Sequence, residues 1–351
     1  MANPHPPADA GPALSRHAGE GLSERLFCVE SYWRMGRLFG ECLRCQGREP
    51  RAQEKVESKM GHTTAVLADG IYFGEGPRWR EGRLWFSDQF AHGVKSVSLA
   101  GDVRTEFEID DRPSGLGWMP DGSMLIVSMM KRQILRRTSD GAIRVHADLN
   151  HVADFHCNDM VVDPAGRAFV GNFGFDLDAE LASRGVESVI AEHATANIAC
   201  VLPDGTTRVA APGMHFPNGS VITPDGKTFI VAETLAGALT AFDLADDGTL
   251  SNRRPWASTW PRVPDGITLD AEGGIWFANP GAPECVRMAQ GGEVLDTIDT
   301  GQLCYSCMLG GTDGRTLFML TAATSGAHQA VMTPTGKLLT VGVDIPHAGR
   351  P

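Results

Sequence analysis

A short pattern recurs six times along the chain and constrains its fold more than any other feature. Each copy is a turn containing glycine followed by a run of β-branched, aromatic and other apolar residues. The copies read WREGRLWFSD (79–88), MPDGSMLIVS (119–128), VDPAGRAFVG (162–171), TPDGKTFIVAE (223–233), LDAEGGIWFAN (269–279) and GTDGRTLFMLT (311–321). Anchored on Gly82, Gly122, Gly166, Gly226, Gly273 and Gly314, they lie 40, 44, 60, 47 and 41 residues apart. Asp-Gly and related pairs between apolar runs mark β-hairpins, because such turns need positive φ. A unit of about 40 to 45 residues has room for four short strands, the size of one propeller blade. Six units therefore predict an all-β, six-bladed β-propeller, with a β-sandwich or β-helix as the alternative. The 60-residue interval contains an insertion at about 175–198 that reads partly helical and is expected to lie over one mouth of the channel.

The first 59 residues stand outside the repeat: Pro-rich sequence, an amphipathic patch, then a charged stretch. They are expected to be a mobile extension or a product of start-site choice, with Met60 as a second start, leaving 60–351 as the propeller. The whole chain of 351 residues is 42 % apolar and 21 % charged with 41 glycines, a soluble, turn-rich composition. A net charge of −12 without a basic stripe argues against nucleic acid as a partner. No run reaches the roughly 18 to 20 apolar residues of a membrane span, and no secretory h-region follows the N-terminus. Eight cysteines lack the spacing of a disulfide framework, which fits a reducing compartment such as the cytoplasm.

The repeat also places side chains. Eight residues before each turn glycine lies the channel-facing start of the innermost strand, occupied by Ser114, Asn158, Asn218, Asp265 and Ser306. In the first unit, whose turn is one residue shorter, seven residues back gives Glu75. Two carboxylates, two carboxamides and two hydroxyls thus encircle one axis. Facing carboxylates in a confined channel raise each other's pKa unless a cation lies between them. An all-oxygen shell suits Ca²⁺ first, then Mg²⁺, with Mn²⁺, Fe²⁺ or Zn²⁺ also compatible. The alternative is a set of hydrogen-bonded polar groups lining a water-filled shaft.

The segments FGEGPRW (73–79), HCNDMVVDPAGRAFVGNFG (156–174), FPNGSVITPDGKTFIVAE (216–233), LADDGTLSNRR (244–254) and VPDGITLDAEGGIWFA (263–278) resemble the senescence marker protein/regucalcin/gluconolactonase family. The resemblance runs from about residue 66 to 341. It implies one divalent ion held by Glu75, Asn218 and Asp265, with Asn158 contacting substrate beside it. It also implies an Arg for sugar hydroxyls where this chain has His156, and a Glu where it has Asp176. Both departures put a polyol-binding pocket in doubt. Trp118 and Phe175 are candidates to line a more apolar one, with buried aromatic packing the more frequent role of either.

The implied activity is hydrolysis of a sugar lactone, or a more apolar small lactone, by metal-activated water. The ion polarises the carbonyl and Asp265 serves as both ligand and general base. The alternatives are a phosphotriesterase or other esterase on the same site, and a non-catalytic metal-binding propeller. The partner is a small molecule, and the oligomeric state is left open. The pairs Cys42/Cys45 and Cys304/Cys307 would make a four-thiolate zinc site only if brought together. Packing is the preferred reading of Cys307 and of Cys157. No G-x-S-x-G elbow is present.

Overall fold

The six turns form where the repeat places them. In a computed structural model that describes residues 61–326 and 330–349, all six anchor glycines have φ between 72° and 82°. The shorter first turn has a physical cause. Arg80 pairs directly with Arg83 across a two-residue loop, Glu81–Gly82, in which both residues have positive φ, the geometry that matches strand twist in a tight hairpin.

The described residues form six four-stranded antiparallel sheets. The first five run outward in sequence from the inner strands Gly74–Arg80, Pro113–Trp118, Cys157–Val162, Pro217–Ile222 and Ile267–Leu269. The sixth has Cys304–Gly310 innermost, and its outermost strand is Ala65–Ile71, paired with Gly336–Gly342. That exchange ties the two ends of the described propeller together. The inner strands touch in succession around the axis, the first also meeting the sixth. This is the six-bladed β-propeller the repeat predicts.

Each blade buries both faces against its neighbours, so its second strand reads as continuous apolar sequence rather than as alternation. Met124–Ser128 and Ile275–Asn279 are buried throughout. Outer strands such as Val103–Glu108 are mostly exposed and polar. The core therefore consists of wedges between blades. Leu125, Val127 and Ile134 of the second blade meet Met160, Ala168 and Val170 of the third. Leu84 and Phe86 of the first meet Met308, Phe318 and Leu320 of the sixth.

Close approach at the axis is set by glycine. Gly76, Gly115, Gly219 and Gly266 each follow one of the ring residues directly. A Cβ on Gly219 would stand 2.5 Å from Ile267 N, and one on Gly76 would stand 2.6 Å from Ser114 O. Those obstacles are backbone atoms of the next inner strand and cannot rotate away. Gly219→Ala is expected to destabilise the protein by about 1–3 kcal/mol, read as a lower urea midpoint with an unchanged m-value.

The insertion in the third blade forms a helix, Leu177–Ala191, broken at Gly185 (φ 75°). Asp176 caps it, accepting from Ala179 N at 3.0 Å, and Asp178 and Glu180 fill its acidic first turn. Its buried Leu181, Val186 and Val189 pack on Phe216, Leu235 and Val263. The expected placement over a mouth of the channel is what the structure has. The expected extension, residues 1–59, lies outside the described residues.

Candidate active site

Four of the six ring residues converge on the floor of one cavity. Glu75, Asn158, Asn218 and Asp265 all line it, and Glu75 and Asp265 are only 6 % and 7 % exposed. Asn158 Nδ2 donates to Asn218 Oδ1 at 2.9 Å. Asn218 Nδ2 donates to Thr234 Oγ1 at 3.2 Å, and Thr234 Oγ1 donates to Pro264 O at 2.8 Å. The carboxamides are thus oriented by a short relay. Ser114 and Ser306 are buried but do not line the cavity. Ser87 donates to Ser114 O at 2.6 Å and the Gln89 amide lies 3.5 Å from its hydroxyl, so this position is absorbed into blade packing.

The carboxylates are poorly compensated. Gly76 N donates to Glu75 Oε2 over a long 3.4 Å, and Asp265 Oδ1 is buried with no hydrogen-bond partner. Burial drives the Glu75 pKa well above the usual carboxylate range, and the charges of Asp265 and Asp159 push it further. Burial likewise raises that of Asp265, with Asp159 adding to it and the Asn218 amide opposing it. Arg78 does not neutralise this pair, because its guanidinium is committed to Asp159 at 3.2 Å and to Met160 O. Among the described residues no three His, Cys, Asp or Glu side chains form a metal cluster. What the floor offers is two carboxylates with carboxamide oxygens.

The cavity measures about 160 Å³, below the roughly 300–1,000 Å³ of pockets for drug-sized ligands, which suits one small molecule. His156 and Asp176 both line it. Burial first, then Arg112, lowers the pKa of His156, so its ring is neutral near pH 7. It lies against Phe155, with centroids 4.1 Å apart. Asp176 spends one carboxylate oxygen on the helix cap.

Trp118, expected at the substrate pocket, does not line this cavity. It lines a different cavity, with Arg80, Val162, Ser220 and Thr268, where Arg80 lies 5.1 Å over its ring. The reason is arithmetic: Trp118 sits four residues beyond Ser114 on an extended strand, roughly 13 Å further along the channel at about 3.3 Å per residue. Phe175 packs in the cluster beneath the helix, beside Phe216, and does not line the cavity.

A second ring lies above the floor, and blade counting could have found it. Two residues before each floor position stand Phe73, Arg112, His156, Phe216, Val263 and Cys304. The first five line the cavity. Phe90, Met129, Phe155, Phe173 and the helix residues Leu181 and Val186 enclose it further. Of these, only His156 was picked out in the sequence.

Among the described residues the thiols belong to no metal cluster. Burial pushes the Cys157 thiol up to about 12, and Cys307 is buried with its Sγ 3.4 Å from Gly266 O. Cys42 and Cys45 lie outside the described residues.

Comparison with known proteins agrees with this architecture. The family model described as SMP-30/Gluconolactonase/LRE-like region matches residues 73–323. The chain is 28 % identical over 276 residues to pentonolactonase XacC of Haloferax volcanii, covering 76 % of this chain and 87 % of that one. It is 26 % identical over 280 residues to human regucalcin, covering 78 % and 89 %. The solved structure of a calcium-binding protein, regucalcin, from Agrobacterium tumefaciens superimposes with a TM-score of 0.67 at 20 % identity, covering 83 % of this chain and 97 % of that one.

Proposed function

Because the chain belongs to the SMP-30/gluconolactonase/LRE-like family, we propose that it hydrolyses a small lactone on the cavity floor, with one divalent cation held by Glu75, Asn218 and Asp265. The observation that carries this reading is the buried, partnerless Asp265 Oδ1 beside a second under-compensated carboxylate. Two such groups are stable together when a cation compensates them. Asn218 Oδ1 accepts one hydrogen bond from Asn158 and retains a lone pair for a cation. An all-oxygen set of this kind fits a hard divalent ion, Ca²⁺ foremost. The likeness to pentonolactonase supports the lactone, and that to regucalcin supports the cation.

When bound, a divalent ion supplies Lewis acidity toward a carbonyl and acidifies water. Asp265 accepts the proton of the attacking water. The water oxygen adds to the acyl carbon, the ring C–O bond breaks, and the proton passes to the departing alkoxide, giving a hydroxy acid. Asn158, fixed by its bond to Asn218, orients the lactone. The apolar second ring and the helix limit water around it.

A pH-indicator assay tests the proposal. Metal-stripped full-length protein is offered sugar lactones, alkyl and aryl γ- and δ-lactones and a phosphotriester, with Ca²⁺, Mg²⁺, Mn²⁺, Fe²⁺ or Zn²⁺ restored singly. Cation-dependent lactone hydrolysis is the expected result. Hydrolysis of the phosphotriester alone, or none at all, overturns it.

A further inference from the structure

The second ring carries one permanent cation, and its surroundings leave that cation without a partner. Arg112 is half-buried on the cavity wall. Its guanidinium carbon lies 4.7 Å over the ring of Phe90, which lines the same cavity. Among the described residues it has no ion pair and no side-chain hydrogen bond. Two of the neighbouring carboxylates have other partners, and Asp178 also lines the cavity. The adjacent Asp111 accepts from Ser128 Oγ at 2.6 Å and from Lys131 N at 2.9 Å. Asp176 accepts from the helix backbone. A guanidinium held over an aromatic ring keeps N–H groups for a further partner, and its fork of donors matches a planar carboxylate.

The rest of the wall has the opposite character. Phe73, Phe216 and Val263 occupy three of the other second-ring positions, and Phe155, Phe173 and Leu181 surround them. Against these faces a polyhydroxylated ring would lose water from its hydroxyls without a hydrogen bond in exchange, although His156, Asp176, Asp178 and Thr234 offer polar groups elsewhere on the lining. A hydrocarbon substituent finds apolar contact instead.

We propose that Arg112 is a specificity-determining residue that binds a carboxylate on the substrate, so that the cavity takes a lactone combining an alkyl or aryl body with an ionised carboxylate. This rests on the lactonase reading and specifies its substrate. The lactone carbonyl meets the floor, the hydrocarbon body fills the aromatic wall, and the carboxylate pairs with Arg112. Hydrolysis then yields a product with two carboxylates, the new one at the floor and the original one still on Arg112.

Two measurements on the full-length protein test this. The first compares kcat/KM for a γ-butyrolactone bearing a phenyl group and a ring carboxylate with that for its methyl ester, cation present, in wild type, Arg112→Gln and Arg112→Lys. Wild type is expected to favour the carboxylate by about 10- to 100-fold, the range for a charge-assisted hydrogen-bonded pair. Arg112→Gln is expected to bring the ratio near one through KM, with Arg112→Lys between. No carboxylate preference in wild type, or equal losses on both substrates in Arg112→Gln, overturns the proposal. The second measures calorimetric binding of the matching cyclopentanone carboxylate, which lacks the ring oxygen and cannot be hydrolysed. Binding at least tenfold weaker in Arg112→Gln supports the proposal, and equal affinity overturns it. If the carboxylate still depends on Arg112 in this binding experiment while no lactone is hydrolysed, the lactonase reading fails and the anion site stands.

Discussion

Asp265→Asn is expected to lower kcat/KM for lactone hydrolysis by at least about a thousandfold, with the protein still folded. General-base catalysis alone contributes about 10²- to 10⁴-fold, and loss of a charged cation ligand adds to it. Substitution by Asn keeps the volume and the backbone. It also removes a carboxylate whose Oδ1 has no hydrogen-bond partner and whose burial opposes its ionisation. Folding should therefore survive: thermal unfolding of the metal-free variant is expected at or above the wild-type midpoint near pH 8. Loss of activity and retained stability must occur together. A variant within tenfold of wild-type activity would remove Asp265 from the chemistry, and an unfolded variant would make it a structural group. Glu75→Gln separates the two roles of the floor. Glu75 shares the cation but is not assigned the proton, so raising the cation concentration should restore more activity in Glu75→Gln than in Asp265→Asn.

The fold and the floor of the site are legible in the sequence where the repeat acts through backbone geometry. Turn glycines with positive φ fix the hairpins, the hairpins fix the inner strands, and the inner strands fix which residue of each blade reaches the axis. Glu75, Asn158, Asn218 and Asp265 followed from that chain of constraints and share one cavity floor. Trp118 shares the inner strand of the second blade with Ser114, but its rise along the channel places it at another cavity. The repeat alone does not separate Ser114 and Ser306 from the four residues that line the cavity; the family resemblance does, because it implies roles for those four and none for either serine. Periodicity gives the azimuth of a residue, whereas its exposure to a cavity depends on how the neighbouring blade packs against it. Arg112, Phe73 and Phe216 lie on the same register as His156, two residues before the floor positions, so a second level of the same repeat locates them. Enclosure of the mouth was legible only in outline. The helical pattern after Phe175 was visible, but that Leu181, Val186 and Val189 meet Phe216, Leu235 and Val263 is a tertiary contact between an insertion and three distant loops.

Cation binding is expected to raise the thermal midpoint of the full-length protein, and to raise it more at pH 8 than at pH 6. Glu75 and Asp265 both have folded-state pKa values raised by burial, with neighbouring carboxylates adding to the shift. The unfolded chain releases these protons near the ordinary carboxylate range of about 4. Between that value and the raised folded ones, the folded protein holds more protons than the unfolded chain. The stability contributed by protonation is complete below the unfolded pKa and is lost as pH rises through the folded pKa values. The metal-free protein therefore carries its largest electrostatic penalty at the alkaline end. A cation favours the ionised carboxylates, displaces their protons and removes that penalty, so its affinity strengthens with pH and binding releases protons. At a hundredfold excess over Kd, linkage gives about 2.7 kcal/mol. At roughly 2–4 °C per kcal/mol for a domain of up to about 250 residues, the midpoint should rise by about 5–10 °C, with somewhat less for this larger fold. Differential scanning calorimetry at the two pH values, with and without Ca²⁺, measures the shift. Titration calorimetry in buffers of different ionisation enthalpy counts the protons released. Glu75→Gln and Asp265→Asn should each shrink the shift, and the double variant should abolish it. If none of Ca²⁺, Mg²⁺, Mn²⁺, Fe²⁺ or Zn²⁺ moves the midpoint at pH 8, the floor is no cation site, and protonation alone compensates its two carboxyls.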